Sequence, residues 1–365
     1  MKALETLTKA WKIPDIRKKI IFTFLMLIVF RIGSNIPVPG IDREILNQTF
    51  ADGGNGLIDL FNLFSGGAFA NMTIFALSIT PYITASIIIQ LLTIALPSLE
   101  SLAKEGLEGR KKIARYTRYL TIVLAFIQAI GVSLGMFKSA LISQDFFSIS
   151  VIVLVLSAGT AFLMWLGEQI NENGIGNGIS LIIFAGIIAR VPSGLHGVWL
   201  KIQEGTISYV TIAIFIVFAI LVIIGIIEIQ QGHRRIPVQY AKRVVGRKMY
   251  GGQSTHIPLK INQAGVIPVI FALSILQFPL TITYFTGSDS SFALWVEKWL
   301  SPTGSPGVWL YSVLNVLLII FFTYFYTAVS FNPAEVADQM KANGGFIPGI
   351  RPGNATIEYL NKVMT

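Results

Sequence analysis

Long apolar blocks alternate with short polar segments along the chain, and the blocks have the length of membrane-spanning helices. A helix needs about 20 residues to cross the hydrocarbon core of a bilayer. The pattern predicts eight spans, with boundaries placed to within a few residues. They cover residues 20–38, 74–96, 119–138, 147–167, 175–192, 209–229, 263–285 and 308–330. We therefore expect an all-α polytopic membrane protein.

The composition supports the same class. Of the 365 residues, 53% are hydrophobic and 13% are charged, whereas soluble domains carry about 25% charged residues. The polar, basic N-terminus leads straight into the first span, and no small-residue cleavage site follows it. We therefore expect an interfacial segment there, and not a removed signal peptide.

The basic residues are concentrated in alternate loops. When the N-terminus is assigned to the cytoplasm, 22 of the 28 Lys and Arg residues fall in the N-terminal segment, the cytoplasmic loops and the C-terminal tail. The other 6 lie outside or at outward-facing span ends. Because cytoplasmic loops of membrane proteins carry an excess of Lys and Arg, this distribution predicts that both termini are cytoplasmic.

The second predicted span contains an unusual stretch, SITPYITASIIIQ, at residues 78–90. Ile79, Ile83 and Ile87 would form one stripe of a helix. The same helix carries Pro81 and five hydroxyl side chains, which a helix surrounded only by lipid does not need. The seventh span also contains two prolines, and interrupted helices in two halves of a chain point to a substrate path between them. The alternative is that Pro and Gly are simply common in membrane helices.

Three segments outside the spans stand out. The stretch LIDLFNLF at 57–64 is too short to cross a membrane, so it is either a helix on the outer membrane surface or a lid folded back into a cavity. The loop at 230–262 holds seven Lys and Arg residues and no acid between Arg234 and Lys260, and its alternating pattern predicts a projecting β-hairpin. The tail stretch GGFIPGIRPG predicts a rigid turn that presents Arg351.

The basic loop at 230–262 allows two interpretations. Membrane topology and attraction to anionic lipid explain many basic cytoplasmic loops. This loop is long, structured in pattern and free of acidic residues between its first and last basic residue. A docking surface for an acidic or RNA-bearing partner is therefore the second interpretation.

Catalytic chemistry is missing from the sequence. The chain has three histidines, no cysteine and no hydrolase or metalloprotease motif. Charged residues are nearly absent from the span interiors, where ion-coupled transporters place carboxylates or histidines. The sequence therefore argues against an enzyme and against a proton-driven transporter, and we expect neither a cofactor nor a bound metal.

Several long stretches of the sequence resemble motifs of one protein family. IVFRIGSNIPVPG, ITPYITASIIIQLL, EGRKKIARYTRYL, GIGNGISLIIFAGI, YAKRVVGRKMYGGQSTHIPLKINQAGVIPVIFA and GFIPGIRPG closely resemble the SecY/Sec61-alpha family, the pore-forming subunits of the Sec protein translocase. The resemblance runs in order from about residue 10 to the C-terminus. It implies a channel that conducts secretory polypeptides across the plasma membrane and releases membrane proteins laterally into it.

The resemblance also implies an architecture of ten spans in two pseudo-symmetric halves. This chain has eight predicted spans and would end before the last two. Residues 1–192 would form the N-terminal half, which includes the segment at 57–64. Residues 193–365 would form an incomplete C-terminal half with three spans, the basic loop 230–262 and a cytoplasmic tail at 331–365.

Site residues follow from the resemblance position by position. The channel waist would be a ring of isoleucines, namely Ile79, Ile83, Ile179, Ile183 and Ile270. The segment at 57–64 matches a plug that closes the ring from outside, with Leu57, Ile58, Leu60, Phe61, Leu63 and Phe64. The lateral gate would include Thr84, Ser274 and Phe278. The contact surface for the ribosome or the motor ATPase SecA would include Arg234, Arg235, Lys242, Arg243, Arg247, Lys248 and Arg351.

The family implies partners and a location as well. The partners would be the SecE and SecG subunits, the SecA ATPase, the ribosome, polypeptides that bear a signal sequence, and the lipid bilayer. The location would be a bacterial plasma membrane. Two other classes are alternatives: a small-solute secondary transporter with inverted repeats, and a structural membrane scaffold. A transporter is disfavoured by the apolar span interiors, and a scaffold has no need of a plug-like loop or a proline-interrupted isoleucine helix.

Overall fold

The computed structural model of the chain describes residues 11–42, 44–46, 62, 65–240, 243–245, 248–250, 254–286, 290–301 and 306–364. Most of them are helical. The helices are α1 (Pro14–Gly33), α2 (Thr80–Ala95), α3 (Pro97–Lys104), α4 (Leu107–Gly131), α5 (Phe146–Asn173), α6 (Gly178–Gln203), α7 (Tyr209–Gln231), α8 (Ile267–Thr286), α9 (Ser291–Leu300), α10 (Val308–Ser330), α11 (Pro333–Ala342) and α12 (Asn354–Met364). The strands are β1 (His233–Tyr240), β2 (Arg243–Val245), β3 (Lys248–Tyr250), β4 (Ser254–Lys260) and β5 (Gly345–Phe346).

Each of the eight predicted spans overlaps one helix, but the helices are not equally suited to crossing a membrane. Within the described ranges, five helical runs are long and apolar enough to cross a membrane. The number rises to six if α2 and α3, which are bent by 99° at their junction, are counted as one span. The five runs are Leu107–Gly135, Phe146–Asn173, Gly178–Gln203, Tyr209–Gln231 and Val308–Ala342. Helix α1 is less apolar because Arg17, Lys18 and Lys19 lie near its start and Arg31 near its end. The polytopic helical class is confirmed, and the count of eight spans stays a prediction.

Several helices differ from the predicted span limits, and two of these differences concern the site described below. The second span was expected from residue 74, but residues 74–79 form turns and helix α2 begins at Thr80. Pro81 lies in the first turn of α2, where a proline fits because its missing N–H would have no helical partner. The fifth span was expected to end at residue 192, but α6 continues through Pro192 to Gln203.

The described residues belong to two compact units. The first comprises residues 1–201 and 271–316, and the second comprises residues 202–270 and 317–365. In the first unit, α5 lies against α1, α2 and α4. Phe75 stacks on Phe30 and on Phe162, with ring centroids 6.1 and 5.9 Å apart. Small residues allow this packing: a Cβ atom at Gly159 would lie 1.9 Å from the carbonyl oxygen of Ile74.

The second unit contains a three-stranded sheet with the order β4-β1-β5. Strands β1 and β4 are antiparallel, with Ile236 opposite Ile257, and β2 and β3 pair further out on the same loop. The predicted hairpin is therefore confirmed. Tail strand β5 pairs with the other edge of β1, which places Phe346 opposite Gln239.

The sheet and the tail helices share one small core. Its buried members are Ile236, Val238, Leu259, Met340, Ile347 and Leu360. They come from β1, β4, α11, the turn after β5 and α12. The basic loop and the C-terminal tail thus fold together, and we name strands β1–β5 with α11 and α12 the hairpin–tail module.

Candidate functional site

The start of helix α2 is fixed by a short backbone ladder. The amide of Val38 donates to the carbonyl of Met72 (3.0 Å), and the amide of Ile74 donates to the carbonyl of Ile36 (3.0 Å). These bonds hold the turns that precede α2 against the segment that follows α1. Ile79, the N-cap residue of α2, is consequently enclosed by its own unit, with 1% of its surface exposed.

Helices α5 and α6 cross at a pair of glycines. A Cβ atom at Gly178 would lie 2.1 Å from the carbonyl oxygen of Gly167, and one at Gly167 would lie 2.9 Å from Cγ1 of Ile179. Only glycine permits so close an approach of two backbones. The crossing brings the first turn of α6, which carries Ile179, onto α5.

These elements meet in one apolar cluster, which we name the constriction cluster. Its buried members are Phe30, Ala68, Phe75, Ile79, Leu163, Leu166, Ile170 and Ile182, and its partly buried members include Met26, Leu27, Ile74, Tyr82, Ile83, Ile179, Leu181 and Ala185. Three of the predicted ring residues, Ile79, Ile83 and Ile179, are therefore brought together. Sequence reasoning missed Ile182, which lies three residues after Ile179 and thus on a neighbouring position of the same helix.

The other two predicted ring residues are half-buried. Ile183 lies one turn after Ile179 on α6. Ile270 lies in the first turn of α8, among the residues of the second unit. Their membership of a common ring stays a prediction.

The isoleucine stripe of α2 faces protein. Ile79 and Ile87 are buried, and Ile83 is half-buried. One of the hydroxyl groups that make this stretch unusual bonds to its own helix: Thr84 donates through Oγ1 to the carbonyl of Thr80 at 3.1 Å. A threonine that bonds four residues back needs no polar neighbour, so it is compatible with an apolar surrounding.

The six predicted plug residues lie outside the described residues. Next to them, Asn62 is buried, and its Oδ1 accepts from the amide of Ala70 at 3.1 Å. Arg31, near the end of α1, donates from Nη1 to the carbonyl of Gly66 at 3.3 Å. A Cβ atom at Gly66, whose φ is +66°, would lie 2.9 Å from Cα of Gly186 on α6. The residues that follow the predicted plug are thus fixed to both α1 and α6.

The predicted gate residues occupy two helices. Thr84 lies on α2 and is half-buried, Ser274 lies on α8 and is half-buried, and Phe278 lies on α8 with 62% of its surface exposed. Helix α8 contains Pro279 in its interior. Their juxtaposition across a gate stays a prediction.

An ion pair that the sequence did not predict joins α4 to α5. Nε of Arg118 lies 2.6 Å from Oε1 of Glu168. The Glu168 side chain is 21% exposed and that of Arg118 47% exposed. The two residues are 50 positions apart, so no local pattern could have paired them.

The predicted contact surface lies on the hairpin–tail module. Arg234 and Arg235 are exposed on β1, and Arg351 is exposed in the turn between Gly349 and Gly353, whose φ angles are +83° and +106°. Arg243 and Lys248 belong to β2 and β3. Lys242 and Arg247 lie outside the described residues.

Strand register places the adjacent residues Arg234 and Arg235 on opposite faces of β1. Arg234 pairs with Leu259 and therefore shares a face with the buried Ile236, because side chains alternate along a strand. Arg234 lines a cavity of about 320 Å³ together with residues of α10, including Tyr324. Arg235 pairs with Pro258 on the opposite, outward face.

In the described part of the chain, no three His, Cys, Asp or Glu side chains are grouped so that they could hold a metal ion. What the constriction cluster offers is an apolar surface of branched and aromatic side chains. Such a surface can close a narrow passage by excluding water.

Comparisons with known proteins show the family of the chain. The SecY family model matches residues 73–365. This chain belongs to the SecY family. It is 51% identical to the protein translocase subunit SecY of Halalkalibacterium halodurans, over 98% of this chain and 84% of that protein. It is 46% identical to the subunit of the same name from Escherichia coli K12, over 96% of this chain and 80% of that protein.

Solved structures show the same fold. The chain resembles a structure of a protein-conducting channel with a TM-score of 0.66 and 20% identity, over 98% of this chain and 86% of that one. It also resembles Sec61 in a canine ribosome–channel complex, with a TM-score of 0.60 and 19% identity, over 98% and 85% of the two chains. Between the channel and the solute transporter, membership of the SecY family decides for the protein-conducting channel.

Proposed function

We propose that this chain is the channel-forming subunit of a bacterial protein translocase, and that the constriction cluster forms part of the seal of its passage. The main support for this proposal is the packing of Ile79, Ile83 and Ile179 in one cluster from two different helices. The family resemblance assigns these three residues to one ring. Branched apolar side chains at a narrow waist resist wetting when the passage is closed and yield when a polypeptide enters.

The finer assignments belong to the same proposal. The full family architecture would have ten spans in two halves, to which this chain contributes eight, and both termini would be cytoplasmic. The segment at 57–64 would close the ring from outside. Spans two, three, seven and eight would part to let a signal sequence or a membrane segment pass into lipid.

The proposed partners are the SecE and SecG subunits, the SecA ATPase, the ribosome and signal-bearing polypeptides. A structural relative is Sec61 in a complex with a ribosome. In this chain, Arg235 and Arg351 are exposed on a compact module, as a docking surface requires. A surface of this charge would attract an RNA-bearing or acidic partner and bind it more weakly as salt rises.

The decisive test is transport itself. The chain is reconstituted into vesicles with SecE, SecG, SecA and ATP, and a secretory protein is added outside. Protease-protected substrate should accumulate, and the matched substrate without its signal sequence should stay accessible to protease. Equal protection of both substrates, or of neither, would contradict the proposed function.

The gate is tested separately. The chain has no cysteine of its own, so a Thr84→Cys/Phe278→Cys pair can be oxidised without side reactions. If α2 and α8 face each other, a disulfide should form in the resting state and block transport until it is reduced. A Thr84→Cys/Leu294→Cys pair is the control that should not crosslink. Absence of the first crosslink would show that these helices are not adjacent.

A further inference from the structure

Helix α9, Ser291–Leu300, connects two predicted spans and carries two different apolar faces. Its first turn is capped by Ser290, whose Oγ accepts from the amide of Ala293 at 3.1 Å. Ala293 and Val296 are buried, and Leu300 packs on Val296. This face attaches the helix to the protein.

The second face is an aromatic stripe. Phe292, Trp295 and Trp299 follow the spacing i, i+3, i+7, which places them on one side of a helix, next to the buried face. Phe292 is 41% exposed and Trp295 is 52% exposed, so the stripe is only partly covered by the first unit. The charged residues Glu297 and Lys298 lie on other sides of the helix wheel.

The depth of α9 follows from its contact with the next helix. A Cβ atom at Gly307 would lie 2.2 Å from the carbonyl oxygen of Lys298 and 2.5 Å from Cα of Trp299. Gly307 directly precedes α10, which belongs to a run apolar enough to cross the membrane. The last turn of α9 is therefore held beside the residue where α10 begins, and a membrane crossing by α10 places that turn near the end of the span.

The side chains here suit a position near the end of a span. Trp309, in the first turn of α10, is 79% exposed and follows the Gly307 contact by two residues. Tryptophan prefers the bilayer interface because its ring is apolar and its indole N–H still finds a polar partner. Lys298 holds its Nζ 6.0 Å from the ring centroid of Trp299, so its stem can cover apolar surface while its charge reaches the headgroups.

We propose that α9 is an interfacial anchor whose aromatic stripe lies among lipid headgroups and the upper parts of acyl chains, in the leaflet where α10 begins. Its partner is the lipid bilayer itself. The exposed Trp309 lies close to the end of α9 in sequence and on a helix apolar enough to cross the membrane, which favours lipid over a second protein. This inference requires α10 to cross the membrane and does not depend on protein transport.

Fluorescence quenching in vesicles tests the proposal. Trp295 is kept as the single tryptophan, and the other five are replaced by Phe. These are Trp11, Trp165, Trp199, Trp299 and Trp309. Lipids with a nitroxide near the headgroup should quench Trp295 several-fold more than lipids with a nitroxide at the chain end. Aqueous iodide should quench it only weakly.

The matched control places the probe on another side of the same helix. Leu294 is 57% exposed and adjoins Trp295 in sequence, but it points away from the aromatic stripe. In a chain with all six tryptophans replaced by Phe, Leu294→Trp should be quenched strongly by iodide and weakly by either labelled lipid.

Three outcomes would overturn the anchor. Iodide quenching of Trp295 equal to that of the Leu294→Trp probe would mean that the stripe faces water. Protection of Trp295 from both iodide and labelled lipid would mean that protein covers it. Strongest quenching by the chain-end label would place the stripe in the hydrocarbon core.

A second measurement covers the case in which the fivefold replacement unfolds the chain. Single cysteines at Phe292 and Leu294 carry a nitroxide label in the otherwise unchanged, cysteine-free protein. Collisions with dissolved oxygen should dominate at position 292, and collisions with a water-soluble nickel chelate should dominate at position 294. Equal nickel accessibility at both positions would contradict the proposal.

Discussion

The constriction cluster of the first unit and the basic surface of the hairpin–tail module are both assembled from residues far apart in sequence, but different forces act in them. In the constriction cluster, apolar side chains from α1, α2, α5 and α6 fill a shared space. On the module, a small apolar core supports charged side chains that remain exposed. The first region should respond to changes of side-chain volume and be insensitive to salt. The second should respond to changes of charge and weaken as salt screens them.

Truncation of the most buried ring residue should have the largest effect on stability. Ile79→Ala removes a side chain that is 1% exposed, and filled cores lose about 2–5 kcal/mol for such a change. The half-buried Ile83→Ala should lose clearly less. The free energy of unfolding in detergent, measured by denaturant titration, makes the comparison. Equal losses at both positions would show that the two isoleucines have the same packing role.

Widening of the proposed waist should affect conductance more than stability. Ile83, Ile183 and Ile270 are all half-buried, so replacing the three by Gly removes side chains that have fewer packing partners than Ile79. The resting ion conductance in planar bilayers should rise. The control is Ile122→Gly, on an exposed part of α4, which should leave conductance unchanged. If the triple variant shows no increase in resting conductance but unfolds many degrees lower, these isoleucines belong to the packed core and do not line a passage.

Charge reversal should have different effects on partner binding at the two adjacent arginines of β1. Arg235→Glu, on the outward face, should weaken binding of SecA or ribosomes to vesicles several-fold at low salt, and the difference should shrink as salt rises. Arg234→Glu should have a smaller effect because that side chain shares the inner face and lines a cavity. Equal losses for both would mean that the partner does not distinguish the two faces. If both variants bind SecA or ribosomes with unchanged affinity, the basic residues of the loop serve membrane topology and not partner binding.

The ion pair between α4 and α5 should contribute least. Exposed pairs are worth about 0.2–1 kcal/mol, and Arg118 is nearly half exposed. Arg118→Gln should therefore lower the free energy of unfolding by less than about 1 kcal/mol at low salt, and Glu168→Gln by a similar amount. High salt should reduce both losses. A loss comparable to that of Ile79→Ala would mean that this pair holds the two helices together.

The sequence predicted the elements of the fold well and their contacts poorly. Helices α5, α6 and α7 each overlap a predicted span because each is a long apolar run. Yet 39% of an apolar 18-residue stretch of α5 is buried inside the protein, whereas none of the corresponding stretch of α7 is buried. Hydropathy does not distinguish the two because a side chain that faces lipid and one that faces another helix are both apolar. Helix α6 is longer than its predicted span because the helix continues through Pro192 to Gln203.

The sequence by itself determined that the chain is a polytopic helical membrane protein, that a hairpin follows the sixth span, and which residues resemble a ring, a gate and a basic surface. These conclusions rest on local spacing and on quoted motifs, both of which are written along the chain. Only the tertiary structure decided that Ile79 is enclosed while Ile83 is half-buried, that Ile182 joins their cluster, and that the tail completes the core beneath the basic loop. Each of these depends on how closely two backbones approach, as at Gly167 and Gly178. That distance depends on residues far apart in sequence, so no local pattern contains it.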